Sequence, residues 1–104
     1  MQHIITINVG VRDAARGAII SQDRDKALNL CVSVFGAGTV KDTLGAWRDD
    51  SGARFVDVGL EVTVVTDALD PKTKTRELAE LLRNAFSQQC VLVTINPLAF
   101  VKFV

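Results

Sequence analysis

The chain has 104 residues, which suffices for one domain with one modest core, because about a third of the surface of so short a chain stays exposed after folding. Twelve basic residues balance twelve acidic residues and no long basic run occurs, so the chain lacks the positive field that nucleic-acid binding requires. No window approaches the roughly 20 apolar residues that span a bilayer, and residues 1–11 lack the features of a signal peptide, so we expect a cytoplasmic protein without a membrane segment.

The composition is apolar for a small domain. Hydrophobic residues make up 48% of the chain, and the mean hydropathy is +0.24. Large apolar patches on a small protein are usually covered by a partner, most often a second copy of the same chain. We therefore expect a homo-oligomer, in the simplest case a dimer.

Residues that bind metals are few. The two cysteines, Cys31 and Cys90, stand far apart within apolar runs, and His3 is the single histidine. This pattern indicates two buried, reduced thiols rather than a disulfide or a nucleophile. We predict no metal site and no cofactor.

The first segment, residues 3–11, alternates between apolar and mixed positions, which predicts a half-buried strand. One side carries Ile5, Ile7, Val9 and Val11. Residues 12–20 show no clean period and contain charged and small side chains, so we interpret them as a loop.

Residues 21–35 are predicted to form a helix. Ser21 is a candidate N-cap, Asp23 falls in the first turn, and Gly36 can end the helix. One helical face would then carry Leu28, Cys31, Val32 and Phe35. A strand is the alternative, because every second residue from 28 to 34 is also apolar, but the length and the two end signals favour a helix.

A hairpin is predicted over residues 39–67. The first strand spans residues 39–48, and its apolar side carries Val40, Leu44 and Ala46, interrupted by Asp42. Residues 49–52 have the Asp, Ser and Gly composition of a tight turn. Residues 55–65 alternate again. This strand has the densest apolar side of the chain, with Val56, Val58, Leu60, Val62 and Val64.

The last part of the chain predicts a helix and a strand. Asp70 and Pro71 are favoured first residues of a helix, and apolar residues recur at helical spacing through residues 71–87. Residues 90–96 form a strand with Val91, Val93 and Ile95 on one side. Pro97 is expected to interrupt it, and residues 98–104 to form a short edge strand.

The order β, α, β, β, α, β predicts an α+β fold, a single ferredoxin-like domain over residues 1–104. Its antiparallel sheet would carry both helices on one face, with a short C-terminal edge strand. The other face would be open and mixed in character. RNA-binding modules of this topology stack bases on aromatic residues of the first and third strands, and the first strand here has none.

The hairpin carries a resemblance to a known group of proteins. Its residues 38–52, with Gly45, Trp47 and Arg48 in sequence, resemble a family of small uncharacterised bacterial proteins whose signature is a Gly-x-Trp-Arg hairpin. The resemblance implies a ferredoxin-like fold. It implies no activity, because the family has none assigned.

The open face holds the candidate site residues. These are Asn8, Trp47, Phe55, Asp57 and Glu61. The first hypothesis is a non-catalytic interaction domain that self-associates through this face or through the C-terminal edge. The alternative is a small-molecule binder or enzyme of the dimeric α+β barrel type, with the aromatic residues lining a pocket over the sheet and the polar ones contacting a ligand. A further alternative is an accessory or inhibitor protein of a mobile element that binds a larger protein assembly.

Overall fold

The computed structural model describes residues 1–98, which form a four-stranded antiparallel sheet and two helices. In chain order the elements are β1 (Gln2–Asp13), a short 3-10 helix (Ala14–Arg16), α1 (Ser21–Phe35), β2 (Thr39–Arg48), β3 (Arg54–Thr66), α2 (Pro71–Ala85) and β4 (Leu92–Leu98). The strands lie in the order β2-β3-β1-β4. This arrangement confirms the predicted ferredoxin-like fold. Neither helix of the described residues is long and apolar enough to cross a membrane.

The core lies between the helices and one face of the two central strands. In the antiparallel register, Ile5 pairs with Val64, and Ile7 pairs with Val62. Leu78 and Leu82 of α2 are fully buried in the same cluster. Each such side chain contributes about 1.5–3 kcal/mol by leaving water. The alternation in residues 3–11 and 55–65 therefore predicts the correct core face of both strands.

Helix α1 is confirmed as a helix, and its predicted buried face is confirmed at Cys31 and Phe35 but is wrong at Val32. Ala27 and Cys31 are fully buried and Leu30 and Val34 pack partly against the core, whereas Val32 is exposed. The small Ala27 allows α1 to lie close to the sheet, so the contact between α1 and the sheet is centred on Ala27 and Cys31 and not on Leu28. Gly36 ends α1 as predicted, with a left-handed φ of 79°.

The first turn of α1 is held by Asp23, and the prediction that Ser21 is the N-cap is wrong. Ile20 is the N-cap residue, and its backbone N–H donates to the Asp23 carboxylate at 3.0 Å. Arg12 donates to both oxygens of the same carboxylate at 2.8 and 2.9 Å. Asp23 is buried, and its pKa is lowered chiefly by the hydrogen bond from Arg12.

Arg12 reaches Asp23 because β1 contains a bulge. Gly10 pairs with Gly59, but the next pair joins Arg12 to Val58, so Val11 is an extra residue. The bulge turns the Arg12 side chain to the helix side of the sheet, where Val58 also points. Residues 12–20 are therefore not a simple loop. Residues 12 and 13 extend β1, residues 14–16 form the 3-10 helix, and residues 17–20 lead into α1. The ion pair between Arg12 and Asp23 joins the start of this segment to the first turn of α1.

Strand β2 contributes less to the core than its sequence predicts. Val40 is half-buried, but the Leu44 side chain is 73% exposed because the helices do not extend over this half of β2. Asp42, which interrupts the apolar side, accepts two hydrogen bonds from Arg24 of α1, at 2.9 and 2.8 Å. The pair is exposed and links α1 to the sheet edge with little net stabilisation.

The C-terminal elements differ from the prediction at their ends. Helix α2 ends at Ala85 rather than at residue 87. Strand β4 continues through Pro97, which pairs with His3 at the sheet edge, so Pro97 does not interrupt it. An edge strand tolerates proline because its outer side needs no backbone donor. Beyond Leu98, the predicted edge strand 98–104 lies outside the described residues.

The two cysteines have different environments. Cys31 is buried, donates to the Ala37 carbonyl at 3.2 Å, and has a pKa raised by burial. Cys90 is exposed, so the prediction that both thiols are buried is wrong. Of the apolar residues that follow Cys90, Val91 is half-buried and Leu92 is exposed, because they lie at the edge of the sheet.

Substitution of Asp23 by Ala should lower the free energy of unfolding by about 2 kcal/mol, because both the cap of α1 and the partner of Arg12 are lost. Urea unfolding followed by circular dichroism measures the difference. Asp25→Ala is the matched control, since Asp25 is exposed on the same helix, and it should change stability by less than about 0.5 kcal/mol. Equal effects of the two substitutions would contradict the assigned role of Asp23.

The ion pair between Arg12 and Asp23 makes the stability of the fold depend on pH in a defined direction. The pKa of Asp23 is lowered in the folded state. Its contribution is therefore fully present above the unfolded value of about 3.9, and it is lost as the pH falls through the folded value. The stability difference between wild type and Asp23→Ala should shrink below about pH 4. A difference that stays constant into stronger acid would overturn this account.

Candidate ligand site on the open sheet face

The face of the sheet opposite the helices carries the mixed set of side chains that the sequence predicts. The cross-strand pairs place Asn8 beside Glu61 on one side and beside Leu92 on the other. The remaining described residues of this face include Ile4, Thr6, Thr43, Gly45, Trp47, Phe55, Asp57, Gly59, Thr63 and Thr94. Neither helix covers them, so any ligand or partner of this face meets them directly.

Trp47 is fixed by two neighbours on β3. Its ring stacks on Phe55 with centroids 4.5 Å apart and an interplanar angle of 20°. Its indole N–H donates to Oδ2 of Asp57 at 2.9 Å. Trp47 is still 52% exposed. An aromatic ring held in one orientation and half open to solvent is suited to contact a ligand or a partner.

Glycines form the floor of the face next to Trp47. Gly10 of β1 and Gly59 of β3 are direct partners, and Gly45 of β2 is the partner of Asp57. A Cβ at Gly59 would lie 2.6 Å from the backbone oxygen of Val9, so only glycine fits at this pairing distance. A Cβ at Gly45 would meet no atom within 4 Å. The floor beside the indole is therefore bare backbone.

The glycine floor and the side chains around it form a shallow cavity of about 320 Å³, here called the glycine trough. Its lining includes Asn8, Gly10, Thr43, Gly45, Trp47, Asp57 and Gly59. Gln88, from the segment after α2, lies beside Gly10, since a Cβ on that glycine would be 3.5 Å from its Oε1. The volume is at the lower end of the range for small-molecule sites.

The structure brings three of the five predicted site residues to the trough. Asn8, Trp47 and Asp57 line it, and Phe55 does not line it but stacks on Trp47. Glu61 does not line the trough, and Lys41 Nζ lies 3.6 Å from its Oε1. Glu61 therefore forms a cross-strand ion pair with Lys41 on the same face of the sheet.

The trough offers a flat floor, an aromatic wall and one carboxylate. Oδ2 of Asp57 accepts from Trp47, and no group in residues 1–98 donates to Oδ1, which leaves that oxygen for a ligand donor. Asn8 and Thr43 add an amide and a hydroxyl. Among the described residues no group of three His, Cys, Asp or Glu side chains could hold a metal ion. These groups suit a planar, largely apolar ligand with a few hydrogen-bond donors or a positive charge.

Sequence reasoning missed the floor of the trough. Gly10 and Gly59 stand 49 positions apart in the chain and become neighbours only through the register of β1 and β3. The available signal was that both strands carry a glycine on the mixed side of an otherwise well-populated alternation.

An open antiparallel sheet with both helices on its other face defines an α+β protein with the ferredoxin-like fold. No family model and no curated protein matches the chain. Solved structures match it, among them a phage SAM lyase in complex with S-methyl-5′-thioadenosine, with 17% identity, a TM-score of 0.67, and coverage of 91% of this chain and 80% of the lyase.

Two further structures show the same likeness. A phage SAM lyase in the apo state gives a TM-score of 0.70 at 16% identity, over 90% of this chain and 78% of that one. The periplasmic divalent cation tolerance protein CutA from Archaeoglobus fulgidus gives 0.63 at 12% identity, over 98% and 88%. At such identities the likeness shows the fold alone.

The glycine floor leads to a prediction that compares two glycines. Gly59→Ala should lower the free energy of unfolding by about 1–3 kcal/mol, because the new Cβ meets the backbone of β1. Gly45→Ala adds the same methyl group to open space on the same face and should leave stability within about 0.5 kcal/mol of wild type. Thermal and urea unfolding measure both, and an equal loss in the two variants would contradict the close approach at Gly59.

Proposed function

We propose that the protein binds a 5′-thioadenosine compound, of the class that includes S-adenosylmethionine, in the glycine trough. The observation that carries the proposal is the arrangement at the trough wall, where Trp47 is stacked on Phe55 and hydrogen-bonded to Asp57 beside a floor of bare backbone. This function develops the pocket alternative that the sequence raises for the open sheet face.

The chemistry of the trough suits the parts of such a ligand. A purine is flat, and stacking of a base on an aromatic side chain is worth about 1–3 kcal/mol. Gly45 lets a flat ring approach the sheet closely beside the indole, because no atom lies within 4 Å of the place where its Cβ would be. The free oxygen of Asp57 can accept from a ribose hydroxyl, and its negative charge can face a sulfonium centre. The indole face of Trp47 also attracts a cation.

The comparison with known structures supports the same ligand class. One of the proteins with this fold was solved with S-methyl-5′-thioadenosine bound. The likeness spans 91% of this chain. The proposal for this chain depends on its own trough residues, because the low identity transfers no residue roles.

Binding can be tested by calorimetric titration with S-adenosylmethionine and with S-methyl-5′-thioadenosine. Asp57→Asn should weaken binding of S-adenosylmethionine about tenfold, and should weaken binding of the uncharged thioether less, because the lost charge faces only the sulfonium compound. Asp67→Asn is the matched control, since Asp67 is exposed in the segment after β3. Absence of binding to both compounds, or equal losses in the two variants, would refute the proposal.

The same samples distinguish a binding protein from an enzyme. Incubation with S-adenosylmethionine followed by chromatography would reveal S-methyl-5′-thioadenosine if the protein cleaves the sulfonium compound. A reaction that Asp57→Asn abolishes and Asp67→Asn retains would assign the chemistry to the trough. Tight binding with no product would establish a non-catalytic binder.

Self-association through the open sheet face is the second candidate function. It is favoured by apolar side chains that three strands expose on this face: Trp47 of β2, Val65 of β3 and Leu92 of β4, of which Leu92 is 64% exposed. A second copy packed on the face would cover them and would also close the trough, which is open to solvent on one side. The two candidate functions are therefore compatible.

Multi-angle light scattering should give wild type the mass of a dimer or larger oligomer. Trp47→Asp and Leu92→Asp should each shift it toward the monomer, because a charge on the apolar face would be buried in the contact. Leu69→Asp is the control, because Leu69 is fully exposed in the segment between β3 and α2. A monomeric wild type would refute this function, and Leu92→Asp separates it from ligand binding because Leu92 does not line the trough.

A further inference from the structure

A second groove lies on the helix side of the sheet, between α2 and the edge strand β4. Its volume is about 410 Å³. Its lining consists of Lys72, Thr75, Arg76, Ala79, Glu80, Arg83, Gln89, Cys90, Val91, Val93 and Ile95. None of these residues lines the glycine trough, so the groove is a separate feature. We refer to it as the edge groove.

The helix wall of the edge groove carries a row of positive charges. Lys72, Arg76 and Arg83, with Ala79 between the two arginines, follow one another at spacings of four, three and four residues, which places them on one helical face. The row is about 16 Å long at 1.5 Å per residue. Within residues 1–98 none of the three cations makes a salt bridge. Glu80 is the only acidic side chain in the lining.

The floor of the edge groove is apolar and is formed by β4 and the residue before it. Val91, Val93 and Ile95 are half-buried there and pack on the helix side of the sheet. In the described part of the chain β4 pairs only with β1, so the outer backbone groups of this strand have no strand partner. Pro97 offers no backbone donor, which limits pairing on that edge to the residues before it.

We propose that the edge groove binds an extended acidic peptide, which adds to β4 as a fifth strand and places glutamate side chains against α2. An added strand directs every second side chain to the helix side, where Val93 and Ile95 form the floor. Glutamate fits that position because its methylene groups cover the apolar floor and its carboxylate reaches Arg76 or Arg83.

The row of charges and the open edge of β4 favour an acidic peptide over an alkyl carboxylate or a nucleic-acid strand. An alkyl carboxylate would use one cation at one end of the groove and would leave the backbone edge of β4 unpaired. A nucleic-acid strand would neutralise the cations, but the floor offers no aromatic side chain for its bases. A peptide with repeated glutamates uses both the row and the edge.

The test uses a fluorescein-labelled peptide of about eight residues in which glutamate alternates with threonine, titrated with the full chain and followed by anisotropy. Arg76→Glu should weaken binding about tenfold or more, because it reverses the charge at the centre of the row. Lys74→Glu makes the same change in net charge on an exposed position of α2 outside the groove, and it should stay within about twofold of wild type. Equal losses in the two variants would overturn the proposal.

Two altered probes test the mode of binding. A peptide with N-methyl groups on alternate backbone nitrogens keeps its charges but cannot form the full strand ladder, and it should bind about tenfold more weakly. If it binds as well as the parent, strand addition is refuted. If a single-stranded oligonucleotide of equal charge binds more tightly than the peptide and is equally sensitive to Arg76→Glu, the peptide assignment is refuted. Thermal unfolding of Arg76→Glu confirms that the variant is folded, as expected for a substitution at an exposed position.

Discussion

The close pairing of Gly10 with Gly59 fixes how the two central strands meet. The backbone oxygen of Val9 occupies the place where a side chain of Gly59 would begin, so the two central strands meet here as bare backbone. On the open face this creates the floor of the trough. Directly after it the bulge at Val11 turns Arg12 toward the helices, where it holds Asp23 and the start of α1. One irregular stretch of β1 thus shapes both faces of the sheet.

The sequence predicted the elements of the fold better than their contacts. Alternation identified the core faces of β1 and β3, because successive side chains of a strand point to opposite faces of the sheet and the apolar ones must face the core. The buried face of α1 was predicted correctly at Cys31 and Phe35 but missed Ala27, because hydrophobicity alone does not mark so small a side chain as a point of contact. The capping role of Asp23 was missed for a related reason, since Arg12 becomes its partner only through the bulge.

The candidate site could be predicted in part for the same physical reasons. Side-chain parity along each strand is local, so it correctly placed Asn8, Trp47 and Asp57 on one face. Their arrangement is not local. Trp47 meets Asp57 because the hairpin register sets Trp47 opposite Phe55, two residues from the carboxylate. Glu61 has the same parity as Asp57, but it does not line the trough, and its partner is Lys41, which stands directly opposite it.

A net charge of zero conceals a separation of charge between the two candidate sites. The trough has a carboxylate at its wall, whereas the edge groove has three cations against one acid. One short segment joins the two sites. After α2 the chain turns at Ser87, which has a left-handed φ of 54°, and Gln88 lies beside Gly10 while Gln89 and Cys90 line the edge groove. An occupant of the edge groove would meet Gln89 and Cys90, and Gln88 next to them lies beside Gly10, which lines the trough. Because coupling between two sites is reciprocal, any effect of the peptide on ligand affinity must equal the effect of the ligand on peptide affinity.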